Sequence, residues 1–471
     1  MKMKIFSFIL ALSVTLSMAV GLSSCQEGAA VSVSGASLNE NGELIISYSD
    51  GTEQNLGVVV GKDGADGKDG ADGKDGADGK DGEDGKNGED GKNGEDGKNG
   101  EDGTHVITSD GGSITAACAK GLGSSVSIVC NFETTVQQGG WRPGSSSTTT
   151  KEYTSSGSGV IYQADKADGD AFIITNYHVV YDASSNTDNG ISDDIEVYLY
   201  GSEISEKKIE ATYVGGSLYY DIAVLRIEDS EIFKNSNARA VTVADSDEVF
   251  VGADAIAIGN AQGYGISTSS GIVSVDSEYI TMTAADGKSE VSFRVMRVDA
   301  AVNAGNSGGG LYDSHGNLIG IVNAKIVDDG VENIGYAIPS NVAVAIADNI
   351  IHYCFGTSTQ RVQRAILGIT VSANDSKAVF DFENGTVRIE ETVSVYDITE
   401  ASVAEGALEA GDVFISAAIG DAEEFEITRQ YHIIDLMLNV RAGDTVTLRI
   451  LRGDEEITVN ILVPESCLVE Y

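Results

Sequence analysis

The sequence DAAVNAGNSGGGL, at residues 299–311, carries the strongest structural signal in this chain. Two other stretches, FIITNYHVV at 172–180 and YDIAVLRI at 220–227, each place one polar residue beside an apolar run typical of a β-strand. Similar short runs, separated by Gly, Asn, Asp and Ser, continue through the chain after Gly103. Long amphipathic helical patterns are few, so the sequence predicts a mainly β body.

The polar residues of the three stretches form a candidate catalytic set of His178, Asp221 and Ser307. A serine hydroxyl is a poor nucleophile, so it needs an imidazole to take its proton and a carboxylate to hold that imidazole. Gly305 and Gly308 permit a tight backbone in which the N–H groups of Gly305 and Ser307 point at one oxyanion. Each residue alone also fits a structural role, and only the set predicts a nucleophilic serine.

The motifs resemble those of HtrA-type, trypsin-like serine proteases. The family pattern T-N-x-H-V-V matches residues 175–180, D-[IL]-A-V-L matches 221–225, and G-N-S-G-G matches 305–309. SGSGVI at 156–161 and GYAIPS at 335–340 agree with the same family. The resemblance implies a trypsin-like double β-barrel with the triad in the chain order His, Asp, Ser.

The resemblance covers roughly residues 110 to 465, and it implies two domains. We expect a protease domain at 104–358 and a PDZ domain at 361–471. A PDZ domain binds the C-terminus of a peptide as an added strand beside a helix. The helix is expected at about 430–439. Four residues fit the loop that binds the terminal carboxylate, namely Ile366, Leu367, Gly368 and Ile369.

The apolar residues of that helix have two interpretations. Ile433, Leu436 and Met437 are candidates for the wall of the peptide groove. Each of them fits the domain core equally well. The domain has 21 acidic and 8 basic residues, so it is expected to prefer apolar or basic peptide ends.

Some positions depart from the family pattern. Ala304 and Gly310 stand where the family often has proline, which predicts a looser backbone near the nucleophile and a site that is ordered before it acts. Ala301 lies six positions before Ser307, where trypsin carries an aspartate, and Val302 follows it. We therefore predict a primary specificity pocket at Ala301 and Val302 for small or medium apolar side chains.

Residues 1–24 have the pattern of a secretory signal, with Lys2 and Lys4 before an apolar run. The sequence LSSC, ending at Cys25, resembles a bacterial lipobox, which implies lipidation of Cys25 and a membrane anchor. A plain signal peptide or an N-terminal transmembrane anchor is the alternative. The chain is expected to lie outside the cytoplasm of a bacterium as a membrane-anchored lipoprotein.

A repeat with glycine at every third position runs from Gly61 to Gly103 and contains fifteen glycines. The period resembles bacterial collagen-like repeats, since only glycine fits at the axis of a collagen triple helix. The repeat contains no proline, and a disordered charged linker is the equal alternative. We call residues 61–103 the stalk. Residues 25–60, with an Asn-Gly and an Asp-Gly turn signal, are expected to hold a β-hairpin module.

Composition excludes several classes of protein. The formal net charge of -43 repels phosphate backbones, so a nucleic-acid partner is not expected. Five cysteines without zinc-type spacing predict no metal site, and no motif indicates a cofactor. Besides Cys25, the chain has Cys118, Cys130, Cys354 and Cys467, which are either disulfide-bonded in one of three pairings or free.

These features predict a surface-anchored serine endopeptidase that cleaves unfolded or extended polypeptides. Family resemblance implies a homotrimer, and a triple-helical stalk also requires three chains. A second hypothesis is a collagen-stalked binding or adhesion lipoprotein with an inactive protease domain. Retention of His178, Asp221 and Ser307 favours the enzyme.

Overall fold

The structure is a computed structural model of the 471-residue chain. It describes residues 33–38, 43–49, 51–58, 113–139, 146–202, 207–324, 334–357, 359, 361–382 and 385–470. The predicted signal segment, Cys25 and the stalk lie outside the described residues. Within the described ranges, no helix is both long and apolar enough to cross a bilayer.

The described residues before the stalk form a three-stranded antiparallel sheet. Its strands are β1 (Val33–Leu38), β2 (Glu43–Tyr48) and β3 (Glu53–Val58), in that order. A turn joins β2 and β3, where the N–H of Gly51 donates to the carbonyl of Tyr48 at 3.0 Å and Gly51 has φ +83°; the Asp of the predicted Asp-Gly signal lies outside the described residues. The sheet has one strand more than the expected hairpin, because the Gly- and Ser-containing sequence of β1 gives only a weak strand signal.

After the stalk, the first sheet of the described chain is a closed barrel whose strand order is β4-β5-β6-β9-β8-β7. Alternate residues of β4 point inward, and Val126, Ile128 and Cys130 are fully buried. The bounds of the strands are β4 (Ser125–Gly139), β5 (Ser146–Asp165), β6 (Asp170–Thr175), β7 (Asp194–Leu199), β8 (Ile209–Ser217) and β9 (Ile222–Ile227).

A second closed barrel follows, with the order β10-β11-β12-β15-β14-β13. Strand β10 is buried on both faces, since Ala255 and Ala257 belong to one apolar cluster and Ile256 and Ile258 to another. The bounds are β10 (Asp254–Gly259), β11 (Ser267–Thr283), β12 (Glu290–Val298), β13 (Gly310–Tyr312), β14 (Leu318–Val322) and β15 (Gly335–Pro339). The predicted mainly β fold with two barrels is confirmed.

The helices are short except for one that joins the two barrels. Helix α4 contacts β8 and β9 of the first barrel and β14 of the second. Val342, Ile346 and Ile350 recur every four residues along it and are buried, as expected of an amphipathic helix. The bounds are α1 (Ile114–Leu122), α2 (Tyr177–Val180), α3 (Glu231–Lys234), α4 (Ser340–Cys354) and α5 (Gln430–Asn439).

The C-terminal domain contains a sheet with the order β17-β18-β19-β21-β22, with β20 paired to β19 and a separate β16–β23 pair. Helix α5 has the bounds predicted from the sequence. Strand β17 is at the edge of the sheet, which leaves one side of its backbone available. The bounds are β16 (Gln363–Ala365), β17 (Ile369–Asp381), β18 (Thr386–Ile398), β19 (Val413–Ile419), β20 (Phe425–Glu426), β21 (Thr445–Arg452), β22 (Glu455–Leu462) and β23 (Leu468–Glu470).

Ion pairs connect the second barrel to the C-terminal domain. Arg294 of β12 is 2% exposed and pairs with Asp435 of α5 at 2.8 Å and with Asp247 at 2.9 Å. Its guanidinium also lies over the ring of Tyr431, 3.8 Å from the centroid. Arg429 pairs with Asp276 at 2.9 Å. The barrel and the C-terminal domain are therefore joined by largely buried charges.

Candidate active site

His178 and Asp221 are brought together by two tight connections in the first barrel. His178 lies on α2, directly after β6, and Asp221 lies in the turn between β8 and β9. The Nδ1 atom of His178 is 2.6 Å from Oδ2 of Asp221, and the backbone N–H of His178 donates to Oδ1 at 2.9 Å. The two side chains are 18% and 6% exposed. An imidazole held in this way keeps Nε2 free to accept a proton.

Asp221 is held by more than the histidine. Its backbone has φ +55°, a left-handed conformation that costs energy for a residue other than glycine. Asn176 Nδ2 donates to the carbonyl of Asp221 at 2.8 Å, and the N–H of Tyr177 donates to it at 3.1 Å. Asn323 Nδ2 donates to Oδ2 at 2.8 Å. Both carboxylate oxygens and the carbonyl are therefore fixed.

Sequence reasoning gave no role to Asn176 or Asn323. Asn176 lies inside the T-N-x-H motif, so a signal was present, although it did not indicate the contact. Asn323 follows β14, far along the chain from Asp221. Both amides are fully buried. Such contacts become visible only when the barrel closes.

Ser307 lies in the loop between β12 and β13, close to the segment that carries His178. A Cβ atom at Gly308 would lie 2.3 Å from Oγ1 of Thr175 and 3.0 Å from the N atom of Asn176. One at Gly157 would lie 2.6 Å from Val179 and 3.2 Å from the carbonyl of Ser307. The serine loop and the histidine helix thus approach as closely as glycine permits.

The backbone around Ser307 leaves two N–H groups without an acceptor. Among the described residues, no oxygen accepts a hydrogen bond from the N–H of Gly305 or of Ser307. Gly305 and Gly308 have φ +94° and +82°, values that L side chains rarely adopt. A Cβ at Gly305 would also lie 2.3 Å from the carbonyl of Asn260. The geometry suits an oxyanion hole at the two predicted residues.

The two positions expected to loosen this loop are both held. The carbonyl of Ala304 accepts a hydrogen bond from the N–H of Gln262 at 2.7 Å. Gly310 begins β13 and pairs with Ile258 on one side and Ile321 on the other. In both cases hydrogen bonds to other segments of the second barrel constrain the backbone, although proline is absent.

The two residues predicted to form the specificity pocket differ in exposure. Ala301 is exposed, and its carbonyl accepts a hydrogen bond from Ser269 Oγ at 2.8 Å. Val302 is partly buried, and a Cβ at Gly335 would lie 2.6 Å from its side chain. Neither residue brings a charge, and the assignment of this pocket stays a prediction.

The loop at the start of β17 presents free backbone donors. Leu367 is buried, Ile366 is 42% exposed, and Gly368 has φ +78°. The N–H groups of Leu367 and Gly368 donate to no oxygen of the described residues. Beyond Ile369, the first residue of β17, Gln430 Nε2 donates to the carbonyl of Val371 at 2.9 Å. This loop can therefore bind an anion such as a terminal carboxylate.

The candidate wall residues on α5 lie in the core of the C-terminal domain. Ile433, Leu436 and Met437 are 4–6% exposed and belong to its apolar cluster. Their burial fits the interpretation that these residues belong to the domain core and do not line the peptide groove.

The four described cysteines are free thiols, so no disulfide joins them. Cys130 and Cys354 are buried. Burial raises the pKa of Cys130 to about 12 and that of Cys354 to about 11. Both thiols are protonated at neutral pH and are therefore poor nucleophiles.

Comparison with known proteins gives a consistent result. Residues 157–321 match the trypsin-like peptidase domain, 365–463 the PDZ domain and 57–111 the collagen triple helix repeat. The chain is similar to serine protease Do-like HtrA of Bacillus subtilis, at 34% identity over 69% of this chain and 67% of that protein.

Two further relatives agree. Serine protease Do-like HtrA of Lactococcus lactis subsp. cremoris is 32% identical over 75% of this chain and 83% of that protein. Periplasmic serine endoprotease DegP of Escherichia coli is 31% identical over 66% of this chain and 57% of that protein. The predicted trypsin-like, PDZ and collagen-like regions are confirmed.

Proposed function

The chain belongs to the HtrA family of serine proteases and is a serine endopeptidase, and we propose that it cleaves unfolded or damaged exported proteins through an acyl-enzyme. Ser307 is the proposed nucleophile, with His178 as general base and Asp221 as its partner. The observation that carries this proposal is the fixed pair of His178 and Asp221, 2.6 Å apart.

In the proposed reaction, Nε2 of His178 takes the hydroxyl proton of Ser307 as Oγ attacks the carbonyl carbon of the peptide. The oxyanion forms beside the N–H groups of Gly305 and Ser307. His178 then gives the proton to the departing amine, which leaves an ester on Ser307. Water hydrolyses the ester by the same proton route, and Asp221 keeps the imidazole oriented in both steps.

Substrate choice is proposed to have two parts. Ala301 and Val302 favour small or medium apolar side chains next to the cleaved bond, since they bring no charge. The PDZ domain recognises a peptide C-terminus, whose carboxylate is bound by residues 366–369 and whose backbone pairs with β17. The N–H groups of Leu367 and Gly368, which donate to no oxygen of the described residues, support this. Gln430 holds the carbonyl of Val371, so a peptide strand competes with it.

The location of the enzyme is proposed from its N-terminal region. Lipidation of Cys25 would anchor it at the outer face of the membrane, and the stalk would hold the protease away from the lipid. An extracytoplasmic site suits the relative DegP, which is named a periplasmic protease. A homotrimer would satisfy a triple-helical stalk. The bounds 104–358 and 361–471 are the proposed limits of the two domains.

The test is cleavage of an unfolded protein by the chain from residue 26 onward, compared with Ser307→Ala. Each is assayed with and without an apolar peptide that has a free C-terminus. We expect hydrolysis only with Ser307, and more of it with the peptide. A fluorophosphonate probe, which phosphonylates an activated serine hydroxyl with loss of fluoride, should label the protein only when Ser307 is present.

The outcomes separate the hypotheses. Equal hydrolysis by both proteins would contradict the role of Ser307. No hydrolysis and no labelling by either, under every condition, would favour the alternative of an inactive stalked binding protein. Sedimentation that finds only monomers, with and without the stalk, would remove the trimer.

A further inference from the structure

Ser158 of β5 lies where the first barrel meets the serine loop of the second. It is 1% exposed and belongs to the SGSGVI stretch. Its backbone N–H donates to the carbonyl of Ser307 at 2.8 Å, and its own carbonyl accepts from Thr175 Oγ1 at 2.7 Å. The backbone of Ser158 thus connects the nucleophile to the strand that leads to the histidine.

The hydroxyl of Ser158 makes two further hydrogen bonds. It accepts from the N–H of Asn260 at 2.7 Å and lies 2.7 Å from the carbonyl of Gly305. A carbonyl only accepts, so the single hydroxyl proton is directed at Gly305. This donor crosses from one barrel to the other, between residues 147 positions apart.

The two peptide groups that flank Gly305 are therefore each fixed by a hydrogen bond. The carbonyl before it, at Ala304, is bound by Gln262, and its own carbonyl is bound by Ser158. Because a peptide is planar and trans, fixing the Ala304 carbonyl points the N–H of Gly305 the opposite way. Fixing the Gly305 carbonyl sets the next peptide. Glycine has wide rotational freedom without such restraints.

We infer that Ser158 is a positioning residue for the oxyanion hole, acting through its hydroxyl on the carbonyl of Gly305. The hydroxyl of Ser158 bonds to the backbone of Gly305 and Asn260, so its role is to position the loop. This hydroxyl fixes the Gly305–Asn306 peptide, while Gln262 fixes the Ala304–Gly305 peptide that sets the direction of the Gly305 N–H. Without the bond from Ser158, Gly305 is free to rotate and the loop loses the alignment of its oxyanion donors, so the effect falls on the transition state and not on substrate binding. This inference rests on the proposed role of Ser307.

The test uses the full-length chain with three variants. Ser158→Ala removes the donor to Gly305 and leaves both backbone contacts of Ser158. Ser158→Cys fills the same space with a weak hydrogen-bonding group, which separates loss of volume from loss of the bond. The matched control is Ser192→Ala. Ser192 is 4% exposed, and its hydroxyl likewise accepts a backbone N–H, from Asp194, and donates to a backbone carbonyl, of Asn131.

Two experiments are done on each protein. The first is kcat and KM on a peptide substrate. We expect kcat to fall about 10- to 100-fold in Ser158→Ala and Ser158→Cys, somewhat less than loss of a direct oxyanion donor, with KM within about twofold. The second is amide hydrogen exchange of residues 303–309, which we expect to accelerate in both. Ser192→Ala should leave both quantities unchanged.

Several results would overturn the inference. An unchanged kcat in an active Ser158→Ala enzyme would do so, as would equal losses in Ser158→Ala and Ser192→Ala. Absence of Ser307-dependent hydrolysis in the wild type would instead contradict the proposed function. In that case amide hydrogen exchange alone tests the role of Ser158. Faster exchange of residues 303–309 in Ser158→Ala than in the wild type supports it, and the same exchange rate in both proteins refutes it.

Discussion

The serine loop and the loop before β17 use similar backbones in different surroundings. Each contains a glycine with positive φ, Gly305 in the first and Gly368 in the second, and each has two N–H groups that donate to no described oxygen. The hydroxyl of the buried Ser158 and the backbone N–H of the exposed Gln262 hold the carbonyls of the serine loop. The loop before β17 is half open, and Gln430 binds the neighbouring strand edge.

The difference suits the two proposed tasks. A catalytic loop lowers a barrier only if its dipoles are already oriented when charge develops, so it is held by the protein before any ligand binds. A recognition groove is completed by its ligand, so an exchangeable side chain can satisfy the strand edge until a peptide arrives.

The largest effect is expected from Asp221→Asn. The amide fits the same space but donates to Nδ1 of His178, which stabilises the wrong tautomer. We expect kcat to fall by about 10⁴-fold with little change in KM. Steady-state kinetics on a peptide substrate provide the measurement. A loss of less than about tenfold would show that Asp221 does not hold the base.

Gly305→Ala should have the next largest effect. The new Cβ would lie 2.3 Å from the carbonyl of Asn260 at φ +94°, so the loop has to shift. We expect kcat to fall by about 100-fold, as when one oxyanion donor is lost. Gly411→Ala is the control, with φ +95° and no atom within 4 Å of its Cβ. If both variants keep their activity, the N–H of Gly305 is not needed.

Gln430→Ala tests the open side of the comparison. In this variant an incoming peptide no longer has to displace the Gln430 amide from the carbonyl of Val371. An apolar peptide with a free C-terminus should therefore bind a few-fold more tightly. Gln430→Asn, whose side chain is one methylene shorter, should give the same gain. Titration calorimetry measures the dissociation constant. Weaker binding in both variants would mean that Gln430 contacts the peptide instead.

The smallest effect is expected at the contact between the barrel and the C-terminal domain. Burial raises the pKa of Asp435 to about 6, with Arg294 opposing the rise. Between about pH 4 and pH 6, the carboxyl group of Asp435 therefore stays protonated in the folded protein but is ionised in the unfolded chain. The stability that this group contributes is fully present below the unfolded pKa of 3.8 and is lost as the pH rises through the folded pKa of about 6.

Asp435→Asn should remove that dependence. We expect the stability of the wild type relative to this variant to increase by on the order of 1 kcal/mol between pH 7 and pH 4. Denaturant unfolding at both pH values measures the difference. A constant difference between the two proteins would show that Asp435 is ionised throughout this range.

Much of the fold followed from local sequence signals. Alternating apolar residues predicted the strands, and the order of the His178, Asp221 and Ser307 motifs indicated two barrels through family resemblance. The bounds of α5 were predicted correctly, because its apolar residues repeat with helical spacing. The β1 strand was missed, since its short Gly- and Ser-containing sequence has little preference for any conformation.

The sequence by itself indicated which residues are proposed to carry the chemistry, because the side chains proposed as base, partner and nucleophile are identifiable from their motifs. Only the tertiary structure showed what holds them. Asn323 reaches Asp221 across 102 positions, and Ser158 reaches Gly305 across 147. No local pattern encodes such contacts, since they form only when closed barrels bury polar groups that must then find partners.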